Sequence, residues 1–264
     1  MNITWRTRKS LSLTALAALT VPLLPPPATA SAEQAAARPT DTTAASSVRV
    51  RYRTIQIDGL RVFYREAGPT DAPVVLLLHG FPASSFMYRG LIERLAGELH
   101  VIAPDYPGFG YSDAPSTAEF SYTFDRLADV MEKFTDRLGL DRYALYMQDF
   151  GGPVGFRVAS RRPDKVSLLI IQNANAYEEG LPDSFWAAPR TLWENPSAAN
   201  FAKLRELAMS DQALEWNYTH GVKDPERINP DSWVLQRALL NRPGNKEAML
   251  ALLYDYRTNL GHYP

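Results

Sequence analysis

The 264-residue chain contains no cysteine. Disulfides, thiolate nucleophiles and zinc–thiolate sites are thereby excluded, an absence that suits an exported protein but does not by itself set the compartment. Histidine is scarce as well: His79, His100, His220 and His262 are the entire supply of imidazole bases. An excess of either charge is also lacking, since 28 Lys+Arg stand against 29 Asp+Glu for a net charge of −1. No basic stripe is present to hold a nucleic acid. The Leu/Ala-rich run from Leu11 to Leu24 falls short of the roughly 20 residues that a membrane helix needs, and Pro22 interrupts it.

What is present begins with Arg6, Arg8 and Lys9, then that apolar run, three prolines and Ala28-Thr29-Ala30. The order of cations, apolar stretch and small-residue exit is that of a secretory signal with an A-x-A cleavage site. Residues 1–30 are therefore expected to direct export and to leave no stable membrane anchor once removed. Without their three cations the net charge is about −4. Residues 31–50 are mostly Ala, Thr and Ser without apolar periodicity, so nothing there repays the entropy of ordering, and they read as a linker. The remaining chain, a little over 200 residues, is long enough for one substantial core.

Tyr52 to Ile57 and Leu60 to Ala67 alternate polar and apolar residues around Asp58-Gly59, a favoured two-residue turn, and predict a half-exposed hairpin. Val74 to Leu78, Val101 to Ala103 and Leu168 to Ile171 are wholly apolar, as strands covered on both faces would be. Phe124, Leu127, Met131, Phe134 and Leu138 recur every three or four residues up to Gly139 and predict a crossover helix. The repetition of strand, helix and strand means an α/β fold with a mostly parallel sheet over residues 51–176, binding its ligands at the carboxyl ends of the strands. From residue 177 to 264 no buried strand is expected. Three helices are, opened at Asn195-Pro196, Asn229-Pro230 and Asn245 and forming a helical cap over the active edge.

Asp149 lies between the apolar strand Tyr143 to Met147 and a helical stretch opened by Gly151 and Gly152. A carboxylate on a tight strand-to-helix turn needs small neighbours and feels the partial positive charge of the helix N-terminus, which suits a nucleophile. A simple helix N-cap is the plain alternative. Met147, two positions before, departs from the small residue common there. Asp149-Phe150-Gly151 matches a kinase triplet by chance, because no His-Arg-Asp loop precedes it, and the glycines miss the dinucleotide register.

Three motifs follow three buried strands in order: His79-Gly80-Phe81-Pro82, then Asp105-Tyr106-Pro107-Gly108-Phe109-Gly110-Tyr111-Ser112, then Gln148-Asp149-Phe150-Gly151-Gly152. Together they resemble the α/β-hydrolase superfamily, and more narrowly its aspartate-nucleophile branch, the epoxide hydrolases and haloalkane dehalogenases. The resemblance implies an α/β-hydrolase fold with a helical cap and no cofactor or metal. It also implies a small apolar organic substrate, an epoxide or a halide. By the same resemblance Asp149 attacks a saturated carbon to form an alkyl-enzyme ester, and the N–H groups of Phe81 and Phe150 form the oxyanion hole. His79 shapes the loop, and the Phe81-Pro82 bond is often cis. Phe81 and Phe150 stand where the dehalogenases place halide-binding side chains, and neither carries an N–H on its side chain. Tyr256-Arg257-Thr258-Asn259 resembles the signature of a tyrosine that protonates the epoxide oxygen, although Tyr256 also lies on an apolar stripe. A second tyrosine would be Tyr177 or Tyr218, and Phe81, Phe150 and Tyr218 are expected to line the substrate. The family's later acid and histidine have no counterpart before Pro264. The resemblance thus leads to the expectation of a shortened hydrolase lacking its last two strands, with an unpaired sheet edge and slow release of the ester.

Overall fold

The structure, a computed structural model, describes residues 48–264. The expected export signal, and the linker up to residue 47, lie outside the described residues. Arg51–Ile57 (β1) and Leu60–Ala67 (β2) form the predicted antiparallel hairpin. Asp58 and Gly59 both take positive φ, 50° and 81°, as a two-residue hairpin turn requires. Val74–Leu78 (β3), His100–Pro104 (β4), Tyr143–Gln148 (β5) and Val166–Gln172 (β6) complete a six-stranded sheet in the order β1-β2-β4-β3-β5-β6. β3, β4, β5 and β6 run parallel to one another, which makes the sheet mostly parallel as expected.

Arg89–Leu95 (α1), Phe124–Arg137 (α2) and Gly151–Arg161 (α3) are the crossover helices. α2 is the helix predicted from the apolar periodicity. The Thr123 hydroxyl accepts the Arg126 N–H to cap it, and Gly139 at φ 69° ends it. Its fully buried face, Phe124, Leu127, Met131 and Phe134, packs on the sheet in one core with Leu76, Leu78 and Ile102.

Two expectations are corrected. The run Leu168 to Ile171 is not covered on both faces: Leu168 is 57% and Ile171 52% exposed, because β6 is the last strand at one edge. A continuous apolar run reports the burial a strand is suited to, whereas its neighbours decide the burial it obtains. After the sheet come five helices rather than three: Asp183–Glu194 (α4), Ala198–Met209 (α5), Asp211–Thr219 (α6), Asp231–Leu240 (α7) and Asn245–Asp255 (α8). Asn195 ends α4, and the caps of the next two helices are Ser197 and Ser210, whose hydroxyls accept the N–H of Asn200 and Ala213. Asn229 and Asn245 do stand at helix starts, with the Asn229 side chain accepting the Asp231 N–H at 2.8 Å.

Candidate active site

Asp149 joins β5 to α3 at φ 50°, a backbone region that side-chain-bearing residues rarely adopt and that clusters at functional turns. Glycines permit the turn. A methyl on Gly151 would lie 2.1 Å from the Leu78 carbonyl oxygen, and one on Gly80 would lie 2.4 Å from the Asp149 β-carbon. The unusual Met147 is accommodated by a third glycine. Its sulfur would sit 2.2 Å from a β-carbon at Gly155, so the large side chain before the turn fills the space that Gly155 leaves on α3.

The carboxylate is held by backbone donors. Asp149 Oδ1 accepts the Phe81 N–H at 2.6 Å, and the Phe150 N–H also reaches it. Burial pushes the carboxyl above the ordinary carboxylate range, and these two N–H groups act in the opposite direction. The Phe81-Pro82 peptide is cis.

The loop that presents Phe81 is anchored from below. Asp105, fully buried at the end of β4, accepts the Ser85 N–H at 2.7 Å and the Tyr111 N–H at 2.8 Å, while its carbonyl accepts the Ser112 hydroxyl. His79 is also fully buried, with Nδ1 3.0 Å from the Gly80 carbonyl oxygen and its ring 4.3 Å from that of Tyr106. Burial holds its pKa below the ordinary histidine value. Both residues are scaffold, tying the first two motifs together behind the turn.

Aromatic rings cluster around Phe150, next to the carboxylate in the chain. Phe150 lies 5.4 Å from Phe81 and 5.0 Å from Phe124, and 5.9 Å from Tyr256, which follows α8. Trp186 and Trp193 on α4 complete the wall, 4.5 and 6.4 Å from the Tyr256 ring. Trp193 is held in place by its indole N–H, which donates to the Leu253 carbonyl at 2.9 Å. Tyr256 is buried, and burial raises its pKa far above the ordinary phenol. The nearby Tyr263 hydroxyl and the Asp149 charge add to that shift, and Asn175 opposes it.

The structure therefore brings Asp149, Phe81, Phe150 and Tyr256 together and leaves Tyr218 out. Tyr218, on α6, donates to Gln236 on α7 at 2.5 Å and senses Arg89 rather than Asp149. Tyr177 is 59% exposed. Trp186, Trp193, Phe124 and Asn175 were missed by the reading of the sequence. The signal available was Trp186 and Trp193, seven residues apart and hence on one face of a helix.

None of the four histidines hydrogen-bonds Asp149. His100 pairs with Glu66 at 2.9 Å, His220 stacks on Trp216 at 4.3 Å, His262 is exposed, and His79 faces its own loop. Among the described residues no group of three or more His, Asp or Glu side chains converges as metal ligands would. Two clefts, of about 340 and 560 Å³, lie beside Gly68 and between Tyr122 and Tyr254, and Asp149 borders neither.

A fold of this topology with a strained acid turn after β5 defines a class, and residues 73–241 match the family model of the alpha/beta hydrolase fold. The chain belongs to that family and is a hydrolase of it, like haloalkane dehalogenases and epoxide hydrolases. An uncharacterized hydrolase of Saccharomyces cerevisiae is 41% identical over 222 residues, covering 83% of this chain and 76% of its own. A haloalkane dehalogenase of Psychrobacter cryohalolentis is 43% identical over 115 residues, but that match spans 43% of this chain and only 38% of the enzyme. The solved epoxide hydrolase CorEH superposes with a TM-score of 0.66, covering 80% of this chain and 76% of its own. At 23% identity CorEH shares the fold.

Proposed function

We propose that Asp149 is a carbon-attacking nucleophile and that the protein opens epoxides through an alkyl-enzyme ester. The observation that carries this reading is the Asp149 carboxylate itself, on a strained turn at φ 50°, with Oδ1 2.6 Å from the Phe81 nitrogen. The other carboxylate oxygen attacks a ring carbon, and the C–O bond of the epoxide breaks. Tyr256 gives its proton to the ring oxygen, leaving a hydroxyalkyl ester and a tyrosinate that water reprotonates. Burial keeps the Tyr256 phenol protonated until that step. Water then adds to the ester carbonyl, whose oxyanion is held by the N–H groups of Phe81 and Phe150. Collapse returns the Asp149 carboxylate and releases a diol.

Phe81, Phe150, Phe124, Trp186 and Trp193 would surround a small apolar substrate and exclude water from the carboxylate. Among the described residues no histidine hydrogen-bonds Asp149. Intact-mass spectrometry after incubation with styrene oxide should show one adduct on the protein, located at Asp149 by peptide mapping and absent from Asp149→Asn. An adduct that persists in Asp149→Asn would remove the nucleophile. Ligand binding that is equal in both proteins, with no adduct in either, would mark a binding module. A second reading, attack on a halide, is favoured by the 43% identity to a haloalkane dehalogenase. A 1-bromoalkane in the same assay would give a plain alkyl adduct and free bromide.

A further inference from the structure

We infer that Asp255 is a positioning residue, which fixes the Tyr256 ring against Phe150 by tying the end of α8 to the first turn of α2. The inference rests on the reading of Tyr256 as the proton donor. Asp255 closes α8, and the next residue in the chain is Tyr256. Its Oδ2 accepts the Phe124 N–H at 2.8 Å, a bond between residues 131 apart in the sequence. Phe124 opens α2, and its N–H is one of the donors that a helix leaves without an internal partner. Thr123 already caps that helix through a different donor, the Arg126 N–H, so the Asp255 bond is added to an ordinary cap. The nearby guanidinium groups are engaged elsewhere: Arg157 pairs with Asp125 at 3.0 Å, and Arg257 lies over the Tyr254 ring at 3.6 Å. The carboxylate is left to the backbone donor.

The bond matters because of the rings beside its two ends. Phe124 and Tyr256 are both buried, with their rings 5.5 Å apart and edge to face. Phe150, whose N–H reaches the Asp149 carboxylate, lies 5.0 Å from the first ring and 5.9 Å from the second. Three residues beyond Tyr256, the Asn259 Oδ1 accepts from Arg157 Nη1 on α3 at 2.7 Å. Tyr256 thus stands in a turn held at both ends, to α2 before it and to α3 after it. A proton donor needs such a hold, because misplacement by about 1 Å costs on the order of 100-fold in rate. Asp255 also borders the 560 Å³ cleft beside Tyr122 and Tyr254, so truncating its side chain opens no enclosed void and the variants should fold.

The test follows the disappearance of styrene oxide with the full chain in molar excess, which reads ring opening whatever the fate of the ester. Asp255→Ala should slow it by about 10- to 100-fold while keeping the wild-type circular dichroism. Asp255→Asn, whose side-chain oxygen still accepts the Phe124 N–H, should recover most of the wild-type rate. Tyr256→Phe removes the proton donor, and adding Asp255→Ala to it should slow ring opening by less than about twofold further, because Asp255 acts through that hydroxyl. A general loosening of the fold would instead multiply the two losses. The inference is overturned by a wild-type rate in Asp255→Ala, by multiplied losses in the double variant, or by Asp255→Asn as slow as Asp255→Ala, and each of these leaves the function proposed for Asp149 standing. A wild-type chain that consumes styrene oxide no faster than Asp149→Asn removes that function and this inference with it.

Discussion

The β1 and β6 edges end the same sheet in opposite ways. β1 exposes Arg51, Tyr52, Arg53, Thr54 and Gln56, and Arg53 is tied to Glu66 at 2.8 Å, so its free backbone groups are screened by charge and polarity. β6 exposes four large aliphatic side chains in a row. Asp149 stands between the two edges, and its hydrogen-bond donor Phe81, its glycine clearance at Gly80 and the buried Asp105 anchor all come from the β1 side. Buried polar atoms without a partner occur on both sides, His100 Nδ1 and Tyr106 Oη toward β1 and Arg157 Nη2 and Asn259 Nδ2 toward β6, so what sets the β1 side apart is its hold on the turn.

The largest test of that contrast is Asp105→Ala. It leaves the buried Ser85 N–H without an acceptor, releases the part-buried Tyr111 N–H and loosens the loop behind Phe81, at a cost of about 4 kcal/mol for two hydrogen bonds to a charged group at roughly 2 kcal/mol each. Urea denaturation would measure it, and a loss below about 1 kcal/mol would show that Asp105 does not anchor the loop on the β1 side. Next in size is a matched pair of truncations. Leu77→Ala, at a fully buried position of β3, should cost about 3 kcal/mol, whereas Leu169→Ala in β6 should cost less than about 1 kcal/mol. Equal losses would erase the difference between the two sides.

Much of this was legible in the sequence because it is local. Asp58-Gly59 dictates its turn, Phe124 to Leu138 its helix, and the run from Gln148 to Gly152 its elbow, each through backbone conformation or side-chain periodicity within a few residues. What was misread depends on distant neighbours. The residues of β6 have the composition of an interior strand, and only the sheet order leaves them at an edge. α4 was hidden by Pro189 inside it, a residue that argues against helix although here it is buried in the helix interior. With that helix went Trp186 and Trp193, whose role against Tyr256 requires the chain to fold back across the sheet. Tyr218 was, with Tyr177, a candidate for a second tyrosine, but the packing of α6 on α7 takes its hydroxyl to Gln236.

The smallest expected effect lies at Asp149 itself, between the two edges. Burial raises the Asp149 carboxyl above its value in the unfolded chain, so the ionised form is less favourable in the folded state than in the unfolded one. That penalty is complete above the raised folded value, shrinks as pH falls through it, and is gone below the unfolded value near 4. Asp149→Asn removes the charge, keeps the shape, and suits the positive φ at least as well. The variant should therefore melt at a higher temperature than the parent at pH 7–8, with the two curves converging toward pH 4. A carboxylate held at the expense of stability behaves in this way, as the nucleophile proposed above would. If Asp149→Asn instead lowers the melting temperature at neutral pH, the Phe81 and Phe150 N–H groups outweigh burial, and the turn is better described as a stabilising anchor than as a stressed, reactive one.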